Sequence, residues 1–341
     1  MTQGSYIDLL KRTLIVVGVA LVPVLVWYLF DVVLIAFGAI IFATLLWLGA
    51  EPFMRWLSMR EGIALVLSGL MILLIVTTAG FLLGTQIAGQ LQDVIQRAGS
   101  AASELQANLA SSDLGKFVLE HVGGGGVSLT GTLASVLTVS SNLIEGVVIA
   151  LISGIYIAAQ PRLYRDGFVQ LFPPRMHPLV IKRLGAITDA LRLWLIGQLI
   201  QMVLIGALAT LFVWIIGVPS PAALGLIAGL GEFVPYIGPI VAAVPAILVA
   251  LTKSWQTALW TVMAYIALNQ IEGHLVIPLI QRHLVFIPPA VILLGIVAIT
   301  SLFGLAAAVF AAPITVVIFI AVKILYVRDT LHEPTQIPGE S

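Results

Sequence analysis

The chain has 341 residues, of which 60% are hydrophobic and only 9% are charged, and its mean hydropathy is +1.12. Soluble domains carry about 25% charged residues, so a soluble globule is excluded and an all-α polytopic membrane protein is predicted. Sixteen basic and sixteen acidic residues give a net charge of zero, so no nucleic-acid partner is expected. The absence of cysteine excludes disulfides, thiolate metal sites and cysteine nucleophiles.

Three apolar segments open the chain and predict the spans Leu14–Phe30, Val32–Leu48 and Ile63–Leu83. A short basic stretch precedes the first of them, as it would in a cleavable signal peptide. The apolar run resumes directly after Asp31, however, and no small-residue cleavage site follows, so a retained span is expected. Basic residues favour the cytoplasmic side of a membrane, which predicts a cytoplasmic N-terminus.

Residues 86–132 differ in kind, because apolar residues recur at helical spacing between polar ones. They predict an amphipathic helix outside the membrane, resting either on its own protein and the interface or on another subunit. The fourth predicted span, Leu133–Ala159, returns the chain to the cytoplasm. Residues 160–192 follow with six basic and two acidic residues, which predicts a cytoplasmic linker that can also contact anionic lipid headgroups. A break at Phe172–Arg175 predicts two short helices within this linker.

The apolar run Ala222–Leu251 contains a carboxylate and a cluster of helix-breaking residues. Irregular backbone at membrane depth survives only where protein or a wet cavity surrounds it, so a broken helix at a transport site is expected. The residues of this predicted break are Gly231, Glu232, Pro235, Tyr236, Gly238 and Pro239. If the run crosses once, Lys323 and Arg328 lie outside; if it forms a re-entrant hairpin, they lie inside. The preferred prediction is about eight spans plus this hairpin, with both termini cytoplasmic.

A second polar cluster, Asn269-Gln270-Ile271-Glu272, precedes a short apolar piece that ends at Pro278 and is followed by Arg282. Asn269 and Glu272 are three residues apart, so a shared helical face is expected. Buried ionisable groups usually mark a transport pathway or a helix-locking pair. Glu232 and Glu272 could therefore bind a cation, exchange a proton or hold helices together, and Glu272 could pair with Arg282. The predicted pathway comprises Glu232, Tyr236, Asn269, Gln270, Glu272 and Arg282, with hinges at Gly231, Pro235, Gly238, Pro239 and Pro278.

The motifs of membrane enzymes and pumps are missing from the sequence. A metalloprotease would need His-Glu-x-x-His and a serine hydrolase Gly-x-Ser-x-Gly, and neither occurs. The glycine run at 123–126 lacks the lysine of a phosphate loop. No catalytic residue, metal site or cofactor is therefore predicted. The small residues of Gly225–Gly229 and Gly304–Ala308 predict close helix packing.

The two polar clusters resemble the motifs of one transporter family. The stretch Glu232-Phe233-Val234-Pro235-Tyr236-Ile237-Gly238-Pro239-Ile240 is similar to the hallmark of the AI-2E (autoinducer-2 exporter) family, also called the PerM group. So are Asn269-x-x-Glu272, the piece Ile277–Ile280, and Pro288 with the stretch Gly304–Pro313. One departure is Ile287, which stands where relatives carry a histidine before proline.

The resemblance implies a multi-pass transporter of about eight spans in a bacterial cytoplasmic (inner) membrane. It also implies a homo-oligomer, for which a pentamer is allowed, and a small-molecule or ion substrate. Positions matching the family pattern are Glu232, Pro235, Tyr236, Gly238, Pro239, Asn269, Glu272 and Pro278. The resemblance leaves open export of a small polar solute such as autoinducer-2, coupled to H⁺ or Na⁺, and Na⁺(Li⁺)/H⁺ antiport. A non-transporting scaffold is the alternative from another class.

These observations divide the chain into six regions. They are an N-terminal three-span region 1–85, an amphipathic extracytoplasmic region 86–132, the fourth span 133–159, a basic cytoplasmic linker 160–192, a motif-rich transport core 193–327 and a polar tail 328–341.

Overall fold

The computed structural model describes residues 27–74, 141–281 and 287–335, together with positions 13, 21, 77, 96, 97, 99, 100 and 103. Several predictions fall wholly or mainly outside these residues. They are the first span Leu14–Phe30, the amphipathic region 86–132, Arg282 and the end of the polar tail.

Regular structure in the described ranges is helical, as the apolar composition predicts. The α-helices are α1 Phe30–Leu57, α2 Glu61–Leu74, α3 Ser141–Ala159, α4 Pro161–Val169, α5 His177–Ile216, α6 Pro221–Gly231, α7 Ile237–Leu251, α8 Trp255–Ile271, α9 Ile277–Gln281, α10 Pro289–Phe303 and α11 Leu305–Val322. A 3₁₀ turn covers Pro174–Met176, and π-helical turns cover Glu272–Val276 and Lys323–Arg328.

Four of the described helical stretches are long and apolar enough to cross a membrane, or five if the bent pair α3–α4 counts as one span. The four are Phe30–Leu57, Pro174–Ile216, Trp255–Ile280 and Ala307–Arg328. The prediction of an all-α polytopic membrane protein is confirmed. The count of about eight spans depends partly on residues outside the described ranges and stays a prediction.

Helix α5 is the longest described element, with 40 residues and a length of about 60 Å. The predicted break before it is confirmed, because α4 ends at Val169 and a 3₁₀ turn follows. The second short helix of the linker is not a separate element, however. It continues without interruption into the long apolar part of α5, because no proline follows Pro178 within that helix.

Helices α6 and α7 form a hairpin, which is one of the two membrane topologies that the sequence allowed for this run. Their 11 and 15 residues are each too few to span a bilayer, which needs about 20. Lys253, just after α7, donates from Nζ to the carbonyl oxygen of Gly217, just before α6, at 2.9 Å. The run therefore returns to the end at which it started, and its tip at residues 232–236 lies beside the middle of α5.

Glycines let α5 and α6 approach closely. A Cβ added to Gly225 would lie 2.7 Å from the carbonyl oxygen of Gly206, and one added to Gly229 would lie 2.8 Å from that of Met202. The packing predicted for Gly225–Gly229 is confirmed. Gly304 behaves differently, because its φ of +85° separates α10 from α11 and no atom of the described residues lies within 4 Å of its added Cβ. Its role is a turn rather than a contact.

Two apolar cores meet along α5. The first joins α5 to α1, α10 and α11 around Leu191 and Leu195, and the second joins α5 to α6, α7 and α8 around Ile205 and Ala209. An ion pair between Arg192 and Glu51 ties α5 to α1 beside the first core. The stretch of α5 between Leu195 and Ile205 lies at the junction of the two cores, and it carries the polar site.

Candidate functional site

Two buried carboxylates meet where helices are interrupted. Glu232 caps the C-terminal end of α6 at the start of the hairpin tip, and its exposed fraction is 0%. Glu272 opens the π-helical turn that follows α8, and its exposed fraction is 5%. Both segments lie against α5. The structure thus brings together the two acidic residues that the sequence predicted as parts of one pathway.

Gln201 on α5 joins the two carboxylates. Its Nε2 donates to Oε1 of Glu232 at 2.8 Å and to Oε1 of Glu272 at 3.0 Å. One turn earlier on the same face, Nε2 of Gln198 donates to the backbone carbonyl oxygen of Glu232 at 2.6 Å. A single amide therefore serves two acids, while a second amide fixes the backbone of one of them.

One oxygen of this cluster has no hydrogen-bond donor among the described residues. Oε2 of Glu232 is buried and accepts no hydrogen bond from any group in the described part of the chain. A buried polar atom without a partner costs about 1–3 kcal/mol, and more when it carries charge. Two adjacent buried negative charges add repulsion to that cost. The arrangement favours uptake of a proton or a cation between the acids.

A partly open cavity of about 70 Å³ reaches this cluster. It is lined by Leu193, Trp194, Gly197, Gln198, Gln201, Pro235, Tyr236, Glu272, Ile277, Ile280, Ile287 and Ile292. Since one water needs about 10–15 Å³ of such space, the cavity accommodates a few waters or one small ion. Its polar groups come from α5, the hairpin tip and the turn after α8.

The hairpin tip holds Glu232 through tight backbone contacts. A Cβ on Gly238 would overlap the carbonyl oxygen of Gly231, so the two helix ends touch backbone to backbone. Tyr236 adopts a left-handed φ of +67°, which costs a non-glycine residue about 1–2 kcal/mol. Pro235 is buried beside it. The predicted hinge residues Gly231, Pro235 and Gly238 therefore form one compact turn.

Two other predicted pathway residues, Asn269 and Gln270, do not join the acids in the site, whereas Tyr236 lines the cavity. Asn269 is exposed, and its Nδ2 donates to the carbonyl oxygen of Tyr265 at 3.1 Å within α8. Gln270 and Pro278 are exposed as well. Three residues along a helix turn the chain by about 300°, so Asn269 and Glu272 are 60° apart and fall on either side of the buried boundary. Of these two neighbours on the helix, Glu272 is buried in the site and Asn269 is exposed beside it, while Arg282 lies outside the described residues.

Gln198 and Gln201 are not among the site residues predicted from the sequence. The available signal was their spacing, because two amides three residues apart lie on one face of an otherwise apolar helix. Side-chain amides also serve as ordinary contacts between membrane helices. Only the fold identifies Glu232 and Glu272 as their partners.

Comparison with known proteins connects this site to a family. A family model described as AI-2E family transporter matches residues 14–326. YrrI of Bacillus subtilis (strain 168), named as a transport protein, is 35% identical over 132 residues, which are 39% of this chain and 37% of YrrI. YueF of the same organism, also named as a transport protein, is 23% identical over 191 residues, 56% of this chain and 52% of YueF.

A third relative is a protein of Mycobacterium tuberculosis (strain CDC 1551 / Oshkosh), again named as a transport protein. It is 38% identical over 112 residues, 33% of this chain and 30% of that protein. The matched stretches cover no more than 52% of the length of any of these three relatives. The family match, in contrast, extends over nearly the whole chain and includes both acids of the site. The chain belongs to the AI-2E family of transporters.

Proposed function

We propose that the chain is a secondary transporter of a small polar solute. The pair Glu232 and Glu272 binds the proton or cation whose movement is coupled to that of the solute. The observation that carries the proposal is the bridge from Gln201 to both carboxylates at 2.8 and 3.0 Å. The two acids lie on separate interrupted segments, the hairpin tip and the turn after α8. Discontinuous helices of this kind supply ion and substrate sites near the middle of the membrane in secondary transporters.

A purely structural role fits the cluster less well. A pair that only locked helices together would be expected to satisfy both oxygens of each acid. Oε2 of Glu232 is buried without a partner in the described part of the chain, and a cavity opens beside Glu272. These two features support a site that takes up something from outside the protein.

Antiport of Na⁺ or Li⁺ against H⁺ is the second candidate. It is favoured by the size of the cavity, since about 70 Å³ suits a small ion better than an organic solute. Sites for organic ligands usually have volumes of about 300–1,000 Å³. A solute exporter would therefore need a wider cavity in another conformation, whereas an ion antiporter would not.

The proposed location is a bacterial cytoplasmic membrane, and the basic linker 160–192 supports an orientation with the start of α5 in the cytoplasm. The hairpin then enters from the outer side. Fifteen residues separate Gln201 from Ile216, the last residue of α5, and they cover about 22 Å. With the outer boundary of the membrane set at Ile216, this depth puts both acids inside a hydrocarbon core of about 30 Å.

Purified protein in proteoliposomes loaded with a pH-sensitive dye tests the proposal. Outward and inward gradients of Na⁺, Li⁺ and candidate polar solutes are imposed one at a time. A gradient that drives proton movement only in liposomes containing the protein supports coupled transport. Proton movement with Na⁺ or Li⁺ alone selects the antiporter, and movement that requires a solute selects the exporter. Solute and ion flux equal to that of empty liposomes would contradict both.

A further inference from the structure

Helix α4 turns sharply away from the membrane-spanning direction. Helix α3 ends at Ala159 and α4 begins at Pro161, and the two axes meet at 88°. Because α3 forms the described part of the fourth span, a helix perpendicular to it runs parallel to the membrane surface. Val169 at the end of α4 is buried, so this end is docked on the protein. The rest of α4, residues 161–168, is exposed.

The exposed surface of α4 has an apolar stripe and a charged side opposite it, with Leu163 and Arg165 between the two. Tyr164, Phe168 and Leu171 are spaced four and three residues apart, which aligns them in one apolar stripe along the helix and its last turn. Their exposed fractions are 47%, 46% and 78%. Arg162 and Asp166, four residues apart, occupy the opposite side and are exposed too. A short helix with one apolar and one charged side has the pattern of an interfacial helix.

Charge identifies the partner of this surface. The segment 160–192 contains six basic and two acidic residues, and Arg162, Arg175 and Lys182 among them are exposed. Basic residues next to a membrane-spanning helix attract anionic headgroups. An aromatic side chain with a polar tip, such as Tyr164, is favoured at the boundary between headgroups and acyl chains. The combination fits a phospholipid surface better than it fits an aqueous loop.

We propose that α4 together with Leu171 is an interfacial helix that docks on the anionic lipid surface at the cytoplasmic side. Its apolar stripe lies among the upper acyl chains, and the neighbouring arginines and lysine contact phosphate headgroups. The proposal does not depend on which solute or ion is transported. It has a mechanical consequence, since α4 connects through residues 170–176 to α5, the helix that carries Gln198 and Gln201. Lipid contact would hold that end of α5 at the membrane surface.

The absence of native cysteine allows a direct depth measurement on the full chain. Phe168→Cys on the apolar stripe and Asp166→Cys on the charged side are each labelled with a nitroxide and placed in lipid nanodiscs. Power saturation compares collisions with oxygen, which concentrates in acyl chains, and with a nickel chelate, which stays in water. We expect the ratio of oxygen to nickel accessibility to be at least about twofold higher at position 168 than at 166.

Equal nickel accessibility at the two positions would overturn the proposal, because α4 would then lie in water. Shielding of position 168 from both reagents would also overturn it, since another protein surface would cover the stripe. The lipid charge is tested by adding phosphatidylglycerol to phosphatidylcholine nanodiscs. The label at 168 is expected to move deeper, and Arg162→Gln with Arg175→Gln is expected to remove that shift. A depth that does not respond to phosphatidylglycerol would contradict the role of anionic lipid.

Discussion

At the residue scale, the carboxylate pair depends on the neutral side chain of Gln201. Its amide donates to both acids, whereas Gln198 contacts only the backbone carbonyl of Glu232. An amide donor stabilises either acid whether that acid is protonated or charged, because each still offers an acceptor oxygen. Gln201 can therefore keep Glu232 and Glu272 together through a cycle in which protons or cations enter and leave.

Gln201→Leu is expected to lower the free energy of unfolding by about 2–3 kcal/mol, because it leaves two buried acceptors without their donor. Thermal unfolding in detergent measures the change. The matched control is Gln270→Leu, at an exposed position, which is expected to change stability by less than about 0.5 kcal/mol. The double variant Gln201→Leu with Glu272→Gln should recover part of the loss, since one of the two acids is then neutral. Equal effects of the two leucine variants would contradict the bridge.

Sequence reasoning identified the two acids because ionisable residues stand out in an apolar run. It could not identify Gln201 as their bridge, because 31 and 71 residues separate Gln201 from Glu232 and Glu272. It also grouped Asn269 with Glu272 from their spacing alone. Which side of that helix is buried is decided by the packing of α8 and its π-helical turn against α5, and three-residue spacing does not report this.

At the element scale, the interruption of the hairpin is shorter than the predicted break, which extended from Gly231 to Pro239. The break covers residues 232–236, and α7 begins at Ile237. Pro239 then lies in the first turn of α7, where a backbone N–H has no intrahelical acceptor and its loss costs little. Because the first turn of a helix tolerates proline, α7 can begin before Pro239. The residue pattern alone therefore predicts the position of the break only to within a few residues.

Gly238→Ala is expected to destabilise the protein by about 2–3 kcal/mol, because the new Cβ would overlap the carbonyl oxygen of Gly231 and push the hairpin tip apart. Transport should fall with it, since Glu232 lies in that tip. The control is Gly273→Ala, next to the second acid, where none of the described residues has an atom within 4 Å of the added Cβ. Thermal unfolding compares the two variants. A stability of Gly238→Ala equal to that of the control would argue against the close contact.

At the scale of the whole molecule, the contact between Lys253 and Gly217 distinguishes the two membrane topologies, because it joins the two ends of the α6–α7 run. The sequence left both topologies open because only a few charged residues near the C-terminus distinguished them. It predicted the helical class correctly from composition, which is a property of the entire chain. The topology of the α6–α7 run instead depends on a contact between residues 36 positions apart, which hydropathy does not encode.

Single cysteines test this topology in the cysteine-free chain. Ser220→Cys lies just before α6, Gln256→Cys just after the hairpin, and Gln170→Cys beyond the far end of α5. In oriented vesicles, a membrane-impermeant maleimide is expected to label positions 220 and 256 from the same side. When the reagent is added on that side, position 170 should react only after the vesicles are permeabilised. Labelling of positions 220 and 256 from opposite sides would show that the run crosses the membrane once.

The most direct test of the account is transport by variants of the two acids in proteoliposomes, under the gradient that drives flux in the unaltered protein. Glu232→Gln and Glu272→Gln keep the size of each side chain and remove its charge. Each is expected to reduce coupled flux at least about tenfold while the protein still folds. Glu145→Gln, an exposed carboxylate on α3, should leave flux unchanged. Flux that persists undiminished in both Glu232→Gln and Glu272→Gln would contradict the carboxylate pair as the site of transport.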